Sequence, residues 1–206
     1  MIRKNNIHLL IMLFAVLSLL VHVPSDAYAN DGSSITEVES LEHDTDRGRE
    51  NSLVQVDSDT YALAFSGEGE DGYISTFTIS SDGTTITEVE SLEHDTVYGL
   101  HNSLVKVDSD TYALAYYGSG GDGFISTFDI DSTGDITPIR VANHATLGEG
   151  SSVNLEHDTV FARYNSLVQV DSDTYALAYG GSGDDGYIST FTISSDGTTI
   201  TEVESL

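Results

Sequence analysis

One segment of about fifty residues is written three times in this chain, and that repetition limits the fold more than any other feature. Aligned without gaps, 51–92 and 165–206 are identical at 38 of 42 positions, differing at 65, 66, 68 and 70; the segment also returns from Asn102. A repeat of this length is one supersecondary unit, too small to bury its apolar surface except against its neighbours. Each unit reads as four strands. Strand A is Ser52–Asp57, strand B Thr60–Phe65, strand C Tyr73–Ser80 and strand D Ile86–Leu92. In strand B, large Tyr61, Leu63 and Phe65 alternate with small Ala62 and Ala64. In strand C, Tyr73, Phe77 and Ile79 share one face and Ile74, Thr76 and Thr78 the other. This period of two, rich in β-branched and aromatic residues, is the strand signature. Strand D also fits a short helix; Glu88 and Glu90 favour an outer edge strand, where charge discourages edge-to-edge pairing.

Ser58-Asp59 between A and B and Ser81-Asp82-Gly83-Thr84 between C and D are hairpin turns. Tandem units of four antiparallel strands predict an all-β protein, a β-propeller with about fifty residues per blade. Another all-β repeat array, a solenoid or immunoglobulin-like row, is the alternative. The expected organisation is a leader over 1–29, an orphan outer strand and loop over 30–50, and blades over 51–101, 102–164 and 165–206. The orphan strand is Ile35–Thr45, a strand D with no A, B or C before it. The second blade aligns with the first as far as Thr146, so Leu147–Thr159 reads as a 13-residue extension of its D-to-A loop. Closed propellers use about 4–8 blades, so three predict an incomplete ring, either continued by missing C-terminal blades or completed by self-association.

Residues 1–29 have the form of a secretory signal: basic Arg3 and Lys4, apolar Ile7–Val23, and Ala27-Tyr28-Ala29 at the cleavage point. The expected location is secreted, cell-surface or periplasmic, with no membrane insertion once the leader is removed. Formal net charge is −27, and only five of the 7 basic residues lie beyond the leader. Such a surface repels nucleic acid. With no cysteine there is no disulfide framework, so stability must come from stacked repeats or bound ions.

Several motifs have ordinary explanations. Gly67–Gly72, Gly118–Gly123 and Gly181–Gly186 match G-x-G-x-x-G, but each precedes a strand, whereas a dinucleotide fingerprint opens a helix. Gly180-Gly-Ser-Gly-Asp-Asp185 resembles the start of a calcium-binding β-roll nonapeptide, without its nine-residue repetition. Asp71, Asp122 and Asp185 recur at one loop position and are the candidate Ca²⁺ ligands, since hard oxygen donors suit that ion. His43, His94 and His157 sit in Leu-Glu-His-Asp-Thr, with His144 at the matching place. Neighbouring residues of an extended segment point to opposite sides, so these imidazoles read first as fixtures between blades.

The copies disagree in two places. The five residues before Asn-Ser-Leu have no position common to all three copies (Asp46–Glu50, Val97–His101, Val160–Tyr164), and the B-to-C loops vary over 66–71, 117–122 and 180–185. In an up-and-down blade both loops leave by the same end. Arg47, Arg49, Tyr98, His101, Phe161, Arg163 and Tyr164 are contact-forming types concentrated there. The chain resembles secreted β-propeller repeat proteins in blade organisation over 35–206, without the Trp-Asp signature of WD40 blades or the paired glycines of kelch blades. The resemblance implies a fold and no catalytic residue. The leading functional expectation is an exported, non-catalytic binding or adhesion module contacting glycan or protein through these loops. The alternatives are a propeller hydrolase or lyase using carboxylates with His94 or His157, and a calcium-stabilised structural surface protein.

Overall fold

The structure, a computed structural model, describes residues 27–28, 34–141 and 151–206. The leader other than Ala27–Tyr28, and also His144, lie outside the described residues. Residues 1–37 and 38–206 are separate compact units. In the first, β1 (Ala27–Tyr28) pairs antiparallel with β2 (Ser34–Ile35). Among the described residues no helix is long and apolar enough to cross a membrane.

The second unit is a row of antiparallel sheets. The first joins β3 (Arg49–Gln55), β4 (Thr60–Ser66), β5 (Gly72–Ile79) and β6 (Ile86–Asp95), in that spatial order. The second joins β7 (Leu100–Lys106), β8 (Thr111–Tyr117), β9 (Gly123–Ile130) and β10 (Ile136–Pro138). Residues Arg140–Val141 (β11) pair with Ser151–Ser152 (β12), and Asn154–Asp158 (β13) returns to β9. The third sheet is β14 (Arg163–Gln169), β15 (Thr174–Gly180), β16 (Gly186–Ile193) and β17 (Ile200–Ser205). First strands of successive sheets lie close together while fourth strands barely meet, which is the wedge of propeller blades.

The alternation in the sequence explains how the sheets stack. Ala62, Ala64, Ile74 and Val56 form the small-residue face of the first sheet, packed against Leu104, Tyr112, Leu114 and Phe128 of the second. The second repeats this with Ala113, Ala115 and Ile125 against Leu167, Tyr175, Leu177 and Phe191 of the third. Large side chains thus fill the space that alanines leave. Two hydrogen bonds recur at each joint. Leu104 N donates to Ser52 Oγ and Leu167 N to Ser103 Oγ, both at 2.9 Å. Thr76 Oγ1 donates to Gly134 O and Thr127 Oγ1 to Gly197 O.

Two expectations need correction. The segment after Ile35 does not form a strand: 36–48 lies outside regular structure, since no third strand lies beside it among the described residues. Nor do the extra residues of the second blade lengthen its D-to-A loop. Asn154, Leu155 and Asp158 face Ser126, Ile125 and Gly123, as Ser91, Leu92 and Asp95 face Ser75, Ile74 and Gly72. The chain leaves after Pro138 and rejoins at Asn154, so the interruption falls inside the outer strand. In the first sheet that place is a bulge between the Phe77 and Thr76 pairings. A bulge on an outer edge has already broken the ladder, which makes it the least disruptive point for an excursion.

Candidate functional site

Each first strand starts with the same irregularity. Pairing slips between Arg49 and Ser52, Leu100 and Ser103, and Arg163 and Ser166. At each slip one residue with a side chain takes a left-handed conformation: Glu50 (φ 56), His101 (φ 55) and Tyr164 (φ 59). The following asparagine stabilises the bend, its Nδ2 donating to the carbonyl three residues back: Asn51 to Gly48, Asn102 to Gly99 and Asn165 to Ala162. Before the bend, Asp44, Asp95 and Asp158 each accept two main-chain N–H groups of their own loop. The scaffold is therefore nearly invariant while the bent residue changes from carboxylate to imidazole to phenol. Left-handed non-glycine residues cost of order 1–3 kcal/mol and cluster where geometry serves a function.

The three bent residues line up from sheet to sheet. The main-chain N–H of His101 donates to Glu50 Oε2, and His101 Nδ1 lies 3.4 Å from the same oxygen. On the other side the His101 ring meets Tyr164, with centroids 4.7 Å apart. Tyr117, at the end of β8, stands 6.1 Å from the rings of His101 and Tyr98, and Arg163 lies over it at 5.8 Å. Arg163 also covers the Phe161 ring at 5.0 Å. A cleft of about 370 Å3 opens beside them, lined by Phe161, Arg163, Tyr164 and the loop Gly180–Asp184. Burial chiefly, with a smaller contribution from Arg163, lowers the pKa of His101 below that of an ordinary imidazole; Glu50 opposes the shift. The ring is thus neutral at pH 7, able to accept a proton.

Of the loop residues predicted from sequence, Tyr98, His101, Phe161, Arg163 and Tyr164 come together here. Arg47 is held by Glu70 at 2.5 Å, and Arg49 is exposed at the start of β3. Glu50 and Tyr117 were missed. Glu50 has a signal in the sequence, since it occupies the same place before Asn-Ser-Leu as His101 and Tyr164.

The repeated histidines are elsewhere. His94 and His157 lie between blades with their ring nitrogens buried, edge-on to Tyr116 at 4.7 Å and Tyr179 at 4.9 Å, and His43 meets Phe65 the same way. Neither nitrogen of His94 or His157 has a hydrogen-bond partner among the described residues. Burial drives their pKa values to about 3 and about 4. They are neutral spacers between blades rather than groups poised for acid–base work. Asp71, Asp122 and Asp185 lie in the B-to-C loops of three different sheets, their carboxylates turned back over Gly69, Gly120 and Gly183 of their own loops. Their carbonyls accept from Gly67, Gly118 and Gly181. No three acids or imidazoles group to hold a metal ion among the described residues.

No family model matches the chain, and no curated protein matches it. Solved structures do. The crystal structure of a protein from Lactobacillus plantarum superposes with TM-score 0.55 at 16% identity, over 88% of this chain and 50% of that one. A protein from Bacteroides fragilis described as a putative 6-phosphogluconolactonase gives TM-score 0.53 at 13% identity, over 82% and 45%. These likenesses support the propeller-like fold, and the chain spans about half the length of each. They also correct the leading functional expectation. One neighbour is described as a putative enzyme, which counts against the non-catalytic adhesion reading.

Proposed function

We propose that this chain carries the hydrolytic end of a propeller-type hydrolase acting on a lactone or ester with an anionic group. The observation that carries the reading is the Glu50–His101 pair, seated on two left-handed bends beside an arginine and an aromatic cleft. The description of the Bacteroides neighbour as a lactonase supports the substrate class. Glu50 holds the Nδ1 side of the ring, leaving Nε2 to take a proton from water. Water adds to the carbonyl carbon, the ring or ester C–O bond breaks, and the imidazolium returns the proton to the departing oxygen. The products are a carboxylate and an alcohol. Arg163 attracts the substrate's anion, while Tyr117, Phe161 and Tyr164 wall the sugar-like or aryl part.

The test uses gluconolactone, its 6-phosphate and an aryl acetate, following acid release. Turnover of any of these should fall about 100-fold in His101→Gln, the usual scale of general-base loss. Absence of turnover on all three, or an unchanged rate in His101→Gln, would overturn the reading. Export belongs to the same proposal: the mature protein should begin at Asn30, which mass spectrometry of material secreted by a Gram-positive or Gram-negative host can check.

A further inference from the structure

The two joints between sheets follow one rule, small-residue face against large-residue face, and each end of the row displays one half of a third joint. At the far end, the small-residue face of the third sheet is bare. Ile188 is 57% exposed, whereas its counterparts Ile74 and Ile125 are fully buried. Val170 is 63% exposed against 6% and 8% for Val56 and Val107. At the near end the large-residue face of the first sheet is open: Leu53 is 58% exposed where Leu104 and Leu167 are at 3%. A shallow apolar pocket runs along it past Tyr61, Leu63 and Phe77. The uncovered faces are thus complementary in size and in sequence.

The polar and steric details of a joint are also present in halves. Ser166 and Thr190 occupy the places of Ser52/Ser103 and Thr76/Thr127, which serve the two existing joints. Gly72 and Gly123 each seat the loop before the next sheet, so closely that an added Cβ on Gly72 would lie 2.9 Å from Gly99 Cα, and one on Gly123 would lie 2.3 Å from Ala162 Cβ. The third member, Gly186, has nothing within 4 Å. Gly48 stands in the loop before the first sheet at the place of Gly99 and Ala162. Glu42-His43-Asp44 repeats Glu93-His94-Asp95 and Glu156-His157-Asp158, and the His43–Phe65 contact holds it against the large face.

We propose that two copies of this chain join head to tail, the third sheet of each covered by the first sheet of the other, in a closed ring of six blades. A second copy is the occupant these halves specify, because it supplies the matching apolar face, a main-chain N–H donor for Ser166 Oγ, a carbonyl acceptor for Thr190 Oγ1 and the glycine for Gly186. Six blades lie within the range that closes. The joint bears on the candidate site. By the spacing that sets His101 beside Glu50 and Tyr164 beside His101, the ring brings the partner's loop 46–50 against Tyr164, making the cleft a two-chain feature. The proposal stands whether or not the site is hydrolytic.

Sedimentation velocity and light scattering on the whole chain at micromolar concentration test this. The expected mass is twice 22.1 kDa, less the leader if it has been removed. Gly186→Leu and Val170→Asp, each checked for an unchanged far-ultraviolet β spectrum, should both run at half that mass. A wild-type monomer overturns the proposal. So does a ladder of larger species, since a head-to-tail contact that fails to close makes open chains. A dimer that survives both substitutions overturns it as well.

Discussion

At the scale of single residues, near-identical repeats separate two kinds of histidine. His94 and His157 recur with their blades and are packed as neutral rings; His101 occurs once, on a bend that every blade shares. The distinction predicts pH behaviour with a definite sign. For the buried pair the folded pKa lies below the unfolded value of about 6.5, so the unfolded state binds more protons and stability falls as pH drops below 6.5. Each should cost about 2 kcal/mol at pH 5 relative to pH 7.5. Urea midpoints at the two pH values should differ less in His94→Gln than in the parent; an equal difference would show that His94 is not held neutral. His101 predicts a different observable. The acidic limb of kcat/KM should fall below pH 6.5, shift further down in Glu50→Gln, where an anion that favours imidazolium is lost, and shift up in Arg163→Gln, where an opposing cation is lost. Limbs that stay in place in both variants would remove His101 from the reaction.

At the scale of elements, the strand pattern was written plainly in the sequence because alternating large and small side chains are what the stacking uses. Tyr61-Ala-Leu-Ala-Phe65 forecasts both the strand and the face it turns to each neighbour. Less legible were features that depend on pairing. Ile35–Thr45 has the sequence of an outer strand, but strandedness belongs to a pair, and no third strand lies beside it among the described residues. The excursion in the second blade was misplaced because Asn143-His-Ala-Thr146 imitates the His-Asp-Thr that ends an outer strand, so two alignments compete and only the register with β9 decides. Glu50 escaped notice because nothing in its type marks a bend; the asparagine after it, repeated at 102 and 165, was the available sign. The inter-blade seats give a sharp contrast. Gly72→Ala puts a methyl carbon 2.4 Å from His94 and 2.9 Å from Gly99 Cα, whereas Gly186→Ala meets nothing within 4 Å of its own chain. The first should lower stability by about 2–4 kcal/mol, the upper range for forced overpacking. The second should leave the stability of the isolated chain within about 0.5 kcal/mol. Denaturant titration of both, the second under conditions where the chain is monomeric, reads the difference directly, and equal losses would contradict the packing described.

At the scale of the whole molecule, identity and variation are separated in space. The faces that stack sheets and the A-to-B turns are copied nearly unchanged, while both sets of variable loops leave by one end. Gly99 N donates to Glu70 O at 2.8 Å, tying a D-to-A loop to the B-to-C loop of the preceding blade. The residue at 50, 101 or 164 varies over a nearly constant bend, since each bend is fixed by the asparagine that follows it. Strong acidity sets a condition on any anionic substrate: it must approach a chain of net charge −27 through the local field of Arg163. Added salt, by screening that repulsion, should lower KM more than it changes kcat. The central claim is that this end of the row is a hydrolytic site organised by Glu50 and His101. Its most direct test is the rate of 6-phosphogluconolactone opening by the purified chain and by His101→Gln, recorded by acid release. The account predicts enzyme-dependent opening that the substitution reduces about 100-fold with the sheet structure intact; equal rates in the two proteins, or no rate above buffer in either, would contradict it.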